Sequence, residues 1–156
     1  MSTPVPIRVL ILEDNAADAE LMVRELRKVG LDPKWEVVDT EQEFLAHLTP
    51  EIDLILSDHA LPRFGSTQAL ELVRSSGLDV PFIIVSGAIG EDVAVEAMRD
   101  GAYDYLIKDR MARLGHAALR ALDNRRLRAE IRKAEGAFRE MDERFLRLAE
   151  NIKDLY

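Results

Sequence analysis

The sequence predicts an α/β protein with a doubly wound sheet of five parallel strands and a long C-terminal helical extension. Two observations predict the sheet. Short apolar runs rich in β-branched residues alternate with helical patterns, and at least three of these runs are apolar at consecutive positions, which is typical of parallel strands covered on both faces. Alternation of this kind gives right-handed crossovers. The predicted strands span residues 7–12, 35–38, 53–57, 81–86 and 104–108.

Helical patterns separate the strands and end at recognisable signals. Gly30, Gly77 and Gly101 follow three of these patterns, and glycine readily takes the left-handed conformation that ends a helix. Thr40 and Glu43 have the spacing of a capping box, which marks the start of the second helix. The predicted helices span residues 16–29, 40–48, 66–75 and 91–99, with a fifth and much longer one from about residue 111.

Length and composition limit the domain organisation. The 156 residues suffice for one compact domain and a modest extension, which we place at residues 1–125 and 126–156. The chain has no cysteine, so disulfides, thiolate metal sites and cysteine nucleophiles are excluded. No window approaches the roughly eighteen apolar residues of a membrane span, and no signal-peptide pattern opens the chain. These features predict a soluble, cytoplasmic protein without a membrane segment.

Charge is distributed unevenly along the chain. Before residue 110 there are 9 basic and 21 acidic side chains, so this part should repel the backbone of nucleic acids. From residue 110 onwards there are 12 basic and 8 acidic side chains, including an arginine-rich stretch at 120–133. Acidic residues are interspersed in that stretch and no helix-turn-helix follows, so a solvated helix face explains it better than a DNA contact. We therefore expect no nucleic acid partner.

Polar residues follow the predicted strands at the edge where a doubly wound sheet binds its ligands. Glu13 and Asp14 follow the first strand, Asp58 the third, Ser86 ends the fourth and Lys108 ends the fifth. Three converging carboxylates repel one another unless a cation joins them, and an all-oxygen ligand set favours Mg²⁺. Lys108 supplies a fixed positive charge, and the Ser86 hydroxyl can hydrogen-bond a phosphoryl oxygen. Asp58 is the predicted nucleophile.

This set of spaced residues resembles the receiver domains of two-component signalling proteins, over roughly residues 5–125. The family pattern also has a proline four residues after the acceptor aspartate, here Pro62, and an aromatic residue three before the lysine, here Tyr105. The resemblance implies a flavodoxin-like fold in which Ser86 and Tyr105 form a switch that reports phosphorylation.

The resemblance also implies a cofactor, a reaction and a partner. Asp14, Asp58 and the Ala60 backbone carbonyl would ligate Mg²⁺, and Glu13 would act on it mainly through water. A histidine kinase or a phosphotransfer protein would phosphorylate Asp58, with Lys108 and Ser86 assisting. The chain would then catalyse only its own phosphorylation and dephosphorylation, with no separate substrate.

Two stretches depart from the family pattern. The lysine is normally followed by a proline with a cis peptide bond, but Asp109 follows Lys108 here. A cis bond before a non-proline residue costs about 2.5 to 4 kcal/mol, so we expect a trans bond or a locally different loop. The stretch after Asp58, residues 59–70, lacks the usual glycine-rich ending, although Gly65 can supply a turn.

Two alanines bear on the lifetime of the phosphorylated state. By the resemblance, the side chains two positions after the acceptor and two after the switch hydroxyl influence hydrolysis, and here these are Ala60 and Ala88. Neither side chain can position a water molecule. We therefore predict a relatively long-lived phosphorylated state, and faster loss of phosphate from Ala60→Asn.

Each site residue alone also has a simpler explanation. Asp14 alone would be a helix cap before Ala16, and Lys108 alone would be a surface lysine. It is their joint placement that favours a functional site. The histidines lack the spacing of a zinc site and are predicted to be structural, with the side chain of the second pointing away from the acceptor; they are His47, His59 and His116.

The C-terminal stretch predicts one long helix, because from about residue 111 to 155 it contains no proline and only two glycines, Gly115 and Gly136. Its apolar residues recur in strict 4,3 spacing, and Asn124 falls at an a position, which favours a parallel two-stranded coiled coil and hence a homodimer. The apolar stripe consists of Leu127, Ile131, Ala134, Phe138, Met141, Phe145, Leu148, Ile152 and Leu155.

The same stripe has a second explanation, packing against a downstream domain. It has real weight, because Glu130 at g would meet Glu135 at e of the partner helix. Residues 141–156 resemble the opening of a PAS sensor domain, so the extension is expected to be a signalling helix that leads towards such a domain in a longer protein.

Two other functions compete with phosphoryl acceptance. A nucleotide or flavin enzyme has little support, since neither G-x-G-x-x-G nor a P-loop follows the first strand. A phosphorylation-independent dimeric interaction module is the stronger alternative, and the complete acidic constellation argues against it.

Overall fold

A computed structural model of the chain describes residues 3–59, 61–87 and 90–154, with side chains up to residue 152. Strands and helices alternate through the first two thirds, as predicted. The elements are β1 (Val5–Leu12), α1 (Ala16–Lys28), β2 (Leu31–Val38), α2 (Glu41–His47), β3 (Leu54–Ser57), α3 (Ser66–Ser76), β4 (Phe82–Ser86), α4 (Glu91–Arg99), β5 (Asp104–Ile107), a 3₁₀ helix (Lys108–Arg113) and α5 (Leu114–Asp154).

The five strands form one parallel sheet in the order β2-β1-β3-β4-β5, which confirms the predicted doubly wound, flavodoxin-like fold. The order reverses beside β1, since the chain goes outwards to β2 and then returns to place β3 on the other side. Leu12 lies opposite Ser57, and Ser57 lies opposite Ile84, so the strand ends are level. A ligand crevice is therefore expected at the carboxyl ends of β1 and β3.

Helices cover both faces of the sheet. α1 and the first turns of α5 pack on one face, around side chains such as Met22 and Leu26. α2, α3 and α4 pack on the other face, where the rings of Phe44 and Phe64 lie 5.4 Å apart. β3 and β4 are buried along their whole length, as their uninterrupted apolar runs predicted. The strand ends that carry the polar residues are thus supported from both sides.

β2 is longer than predicted. It begins at Leu31, four residues before the predicted start at Trp35. Asp32 and Pro33 are unfavourable in strand interiors, so the sequence pattern did not predict a strand at residues 31–34. The structure tolerates Pro33 because β2 is an edge strand, where a residue without an N–H group leaves no neighbour unsatisfied on its open side.

The chain between β5 and α5 also differs from the prediction. α5 begins at Leu114, not near Met111, because a 3₁₀ helix covers Lys108–Arg113 and contains a non-helical residue, Arg110 (φ −119°, ψ 44°). Throughout the described residues every peptide bond is trans, including the one that follows Lys108.

The chain separates into two units, one up to Leu122 and one from Asp123. The first holds the whole sheet and both apolar clusters. The second is helical in its described part, and nearly all of its side chains are exposed. The predicted boundary between residues 125 and 126 stays a prediction. Among the described helices, none is both long enough and apolar enough to cross a membrane.

Candidate functional site

Glu13 and Asp58 are neighbours because backbone pairing continues past the ends of the strands. The Asp58 N–H group donates to the Leu12 carbonyl at 2.8 Å, and the Glu13 N–H group donates to the Val38 carbonyl at 3.1 Å. Glu13 is 2% exposed and Asp58 8%. Carboxylates this buried require partners, because burying an unpaired charge is unfavourable.

Three carboxylates converge at this edge of the sheet. Glu13, Asp14 and Asp58 each place an oxygen within 4.8 Å of the oxygens of the other two. The buried Glu13 Oε2 accepts no hydrogen bond from the part of the chain that the structure describes, and its charge is met only by an ion pair with the Lys108 ammonium group 3.1 Å away. A buried carboxylate oxygen of this kind suits a cation or a water bound to one, and the all-oxygen set fits a hard divalent cation such as Mg²⁺. The Ala60 carbonyl, predicted as a further ligand, lies outside the described residues.

Lys108 reaches this cluster from the end of β5. Its ammonium nitrogen lies 3.2 Å from Asp58 Oδ2, 3.1 Å from Glu13 Oε2 and 2.7 Å from Asp18 Oδ2. The contacts with Asp18 and Asp58 are hydrogen bonds, whereas the contact with Glu13 has the distance of an ion pair without hydrogen-bond geometry. The lysine side chain is only 19% exposed. One cation of the chain itself thus stands beside the predicted nucleophile.

The electrostatics of Glu13 and Lys108 oppose each other. Burial raises the pKa of Glu13 from 4.5 to about 7, and the charge of Asp58 acts in the same direction, while Lys108 and the N–H group of Asn15 act against it. Burial alone would lower the pKa of Lys108, but the hydrogen bond with Asp18 and the negative charges of Glu13 and Asp58 outweigh burial and raise that pKa. Lys108 therefore stays charged, while Glu13 loses its proton only at a higher pH than an exposed glutamate does.

The two residues predicted as the switch lie on the neighbouring strands. Ser86 ends β4 and is 2% exposed, and it pairs in register with Ile107 of β5. Tyr105 of β5 is half-buried against the cluster under α3 and α4. The two residues thus lie on adjacent strands, and Lys108 directly follows the second of these strands, β5. Their role as a switch stays a prediction.

His59 makes contacts that the sequence did not predict. Its Nδ1 atom lies 2.7 Å from the hydroxyl oxygen of Ser66, the buried first residue of α3. Its ring centroid is 6.4 Å from that of Tyr105. The histidine thus links the loop after Asp58 to the start of α3.

Asp18 was not predicted from the sequence, and the helix cap that would have been a simpler explanation for Asp14 is supplied by its neighbour. Asn15, not Asp14, is the N-cap of α1, and its side chain accepts hydrogen bonds from the N–H groups of Ala17 and Asp18 at 2.9 and 3.2 Å. This frees Asp14 for the acidic cluster and places Asp18 in the first turn of the helix. An aspartate there is ordinary, so only its spacing of four from Asp14 could have pointed to the site.

A (βα)5 sheet with three carboxylates and a lysine at the carboxyl ends of its strands defines a flavodoxin-like protein with an acidic ligand site. The chain belongs to the response regulator receiver domain family, whose sequence model matches residues 9–120. It is therefore a receiver domain of the two-component response regulator type.

Relatives support the same assignment. The chain is 38% identical over 99 residues to the luminescence regulatory protein LuxO of Vibrio campbellii, a match covering 63% of this chain and 21% of that protein. It is 35% identical over 107 residues to the response regulator protein FleR of Pseudomonas aeruginosa, covering 68% and 22%. Each match spans about a fifth of the relative's length.

Solved structures confirm the fold. The signal receiver domain of a LuxO repressor protein from Vibrio parahaemolyticus superimposes with a TM-score of 0.71 at 23% identity, covering 81% of this chain and 98% of that one. NtrX from Brucella abortus superimposes with a TM-score of 0.72 at 25% identity, covering 83% and 30%.

Proposed function

We propose that this chain accepts a phosphoryl group on Asp58, from a histidine kinase or a phosphotransfer protein, in the cytoplasm. The observation that carries this proposal is the position of the Lys108 ammonium group, 3.2 Å from Asp58 Oδ2. Asp58 is itself one of three clustered carboxylates, with Glu13 and Asp14. Proteins of the response regulator class receive phosphoryl groups from histidine kinases, and the acceptor position in the family pattern falls on Asp58.

The chemistry is a transfer between two groups. An Asp58 carboxylate oxygen forms a bond to phosphorus while the bond from phosphorus to the donor, a histidine nitrogen or the acetate oxygen of acetyl phosphate, breaks and its electron pair leaves with the donor. Lys108 offers a positive charge to the phosphoryl oxygens as negative charge spreads over them. Ser86 offers a hydroxyl at the same edge. The chain acts on itself only.

Mg²⁺ is the proposed cofactor. Asp14, Asp58 and the Ala60 carbonyl would hold it, with Glu13 acting mainly through water. When bound, the ion supplies charge neutralisation for the phosphoryl oxygens. The chain's own contribution is to hold three carboxylates together despite their mutual repulsion. Because Glu13 is buried, its ionised form is unfavourable unless a cation lies nearby.

The test is intact-mass analysis after incubation with acetyl phosphate, with Mg²⁺ or with a chelator. The wild type should gain one phosphoryl group in a Mg²⁺-dependent manner, and Asp58→Asn should gain none. Asp92→Asn is the matched control, because Asp92 is an exposed aspartate of α4, and it should be phosphorylated like the wild type. A wild type that gains nothing would favour the phosphorylation-independent interaction module instead.

We further propose that the switch of Ser86 and Tyr105 signals through a parallel dimer formed by the C-terminal helix. The proposal is supported by the exposure of apolar side chains at the heptad positions, from 43% for Leu127 to 71% for Phe138. A continuous exposed apolar stripe on one helix is a typical association surface. Leu155, the last residue of the stripe, lies outside the described residues.

Light scattering after size-exclusion chromatography tests the dimer. Phe138→Glu places a charge at an a position and should give a monomer. Ala129→Glu introduces the same residue at an exposed f position and should leave the dimer intact. A monomeric wild type would favour the other explanation, that the stripe packs on a PAS-like domain opening at residues 141–156.

A further inference from the structure

The ammonium group of Lys108 has three carboxylate neighbours, and the nearest is Asp18. Asp18 Oδ2 accepts a hydrogen bond from Lys108 at 2.7 Å, compared with 3.1 Å to Glu13 and 3.2 Å to Asp58. The side chains of Asp18 and Lys108 are 27% and 19% exposed. A short, charge-assisted contact sheltered from water is stronger than an exposed ion pair.

Asp18 lies in the capped first turn of α1, whereas Lys108 begins a less regular stretch of the chain. The Asn15 side chain fixes the backbone of Asp18 by accepting its N–H group, and the next residue of α1, Ala19, is buried in the core. Lys108 begins a 3₁₀ stretch that contains the non-helical residue Arg110, and its long side chain can adopt many rotamers. A carboxylate on this capped helical turn therefore restricts where the ammonium group can lie.

Asp18 also stands apart from the carboxylates that would bind a cation. The cluster whose oxygens lie within 4.8 Å of one another comprises Glu13, Asp14 and Asp58. A divalent cation held by that cluster shares its negative charge and weakens its attraction for Lys108. Asp18 is not one of these clustered carboxylates, so its attraction for the lysine is not shared with that cation.

We propose that Asp18 is a positioning residue that holds the Lys108 ammonium group beside Asp58 while a cation occupies the acidic cluster. The lysine is then already in place when a phosphoryl group arrives. The inference rests on the proposed function, and Asp18 acts through Lys108 without touching the phosphoryl group.

The first measurement is the rate of phosphorylation by acetyl phosphate at saturating Mg²⁺. Asp18→Asn keeps the size of the side chain and removes its charge, and it should slow phosphorylation about tenfold, as expected when a charge-assisted hydrogen bond is lost. Glu41→Gln is the control, because it also removes a carboxylate from the first turn of a helix, in this case α2. Glu41 is not one of the carboxylates that contact Lys108, so this substitution should leave the phosphorylation rate unchanged.

A double-mutant cycle with Lys108→Met separates positioning from a general structural effect. In the Lys108→Met background, Asp18→Asn should cause no further slowing, because the group it positions is gone. Calorimetric titration with Mg²⁺ gives a second readout. Asp18→Asn should weaken Mg²⁺ binding, since a lysine released from Asp18 pairs more strongly with Glu13 and Asp58, which it already contacts, and so competes with the ion. This weakening should vanish in Lys108→Met.

The outcomes are distinguishable. A wild type that is phosphorylated no faster than Asp18→Asn would overturn the role of Asp18 and leave the proposed function intact. Equal slowing with and without Lys108 would also overturn it, because the effect would not pass through the lysine. A wild type that accepts no phosphoryl group on Asp58 would overturn the proposed function, and this inference with it.

Discussion

The two units of this chain place similar apolar side chains in opposite environments. In the unit up to Leu122, Phe44 is fully buried and packs against Phe64. In the unit from Asp123, Phe138 is 71% exposed and Phe145 69%. Burial against a sheet stabilises the first unit from within, while an exposed apolar stripe gains stability only when something covers it. The first unit therefore carries its own stability, whereas the apolar side chains of the second are left exposed along the helix.

The largest expected difference between the units comes from truncating one phenylalanine in each. Phe44→Ala should lower the free energy of unfolding by about 3 to 5 kcal/mol, because it leaves a cavity in the core. Phe138→Ala should change it by less than about 0.5 kcal/mol at protein concentrations where the chain is monomeric. Denaturant unfolding measures both. A large loss for Phe138→Ala in the monomer would break the comparison, because it would show that this side chain is buried in solution.

The second difference between the two units concerns the effect of one glutamate on stability, which is large where the glutamate is buried and small where it is exposed. Because the pKa of Glu13 is raised from 4.5 to about 7 in the folded chain, the unfolded chain releases this proton first, so the metal-free protein should lose stability as pH rises from about 4.5 through 7. Glu13→Gln should remove roughly 3 kcal/mol of this loss. Thermal unfolding in chelator across that pH range measures the difference between the two proteins.

The matched change in the helical unit is Glu143→Gln. Glu143 pairs with Arg147 at 3.8 Å, and both side chains are about 70% exposed, so its loss should cost less than about 0.5 kcal/mol at pH 7. Parallel stability profiles of wild type and Glu13→Gln would contradict the electrostatic description of the buried site.

One substitution made twice in α5 tests packing directly. A Cβ atom at Gly115 would lie 2.6 Å from Val29 Cγ1 and 2.8 Å from the Glu25 carbonyl oxygen, so Gly115→Ala should cost about 2 kcal/mol. Within the described residues, and apart from the adjoining backbone of α5 itself, no atom lies within 4 Å of a Cβ atom at Gly136, so Gly136→Ala should stabilise the helix by up to about 1 kcal/mol. Opposite shifts in melting temperature are expected, and equal shifts would show that α1 does not approach α5 so closely.

Much of the fold was predictable from local pattern. Apolar runs such as 53–57 and 81–86 identified the buried strands, because a strand covered on both faces has no polar side to display. The start of β2 was not predictable, since Pro33 is acceptable only at an edge and the strand order decides which strand is the edge. The 3₁₀ stretch after Lys108 likewise escaped a pattern that reads as continuous helix.

The candidate site was predictable in part for a related reason. Glu13, Asp58 and Lys108 come directly after strands, and parallel strands bring their carboxyl ends to one edge whatever the details of packing. Asp18 is one turn into a helix, where a first-turn aspartate is an ordinary stabilising residue. Nothing in its neighbourhood along the chain indicates a partner 90 residues away.

By itself, then, the sequence determined the alternation of strands and helices, the acidic and basic residues at the strand ends, and the long apolar stripe of the C-terminal helix. These are local properties, written in periodicity and in position relative to the strands. Tertiary structure alone decided that Lys108 hydrogen-bonds Asp18 more closely than it contacts Asp58, and that Glu13 is buried deeply enough to resist ionisation. The distances between Lys108 and its carboxylate partners, and the burial of Glu13, depend on how α1 packs on the sheet and where the end of β5 lies relative to it. No local pattern specifies that packing.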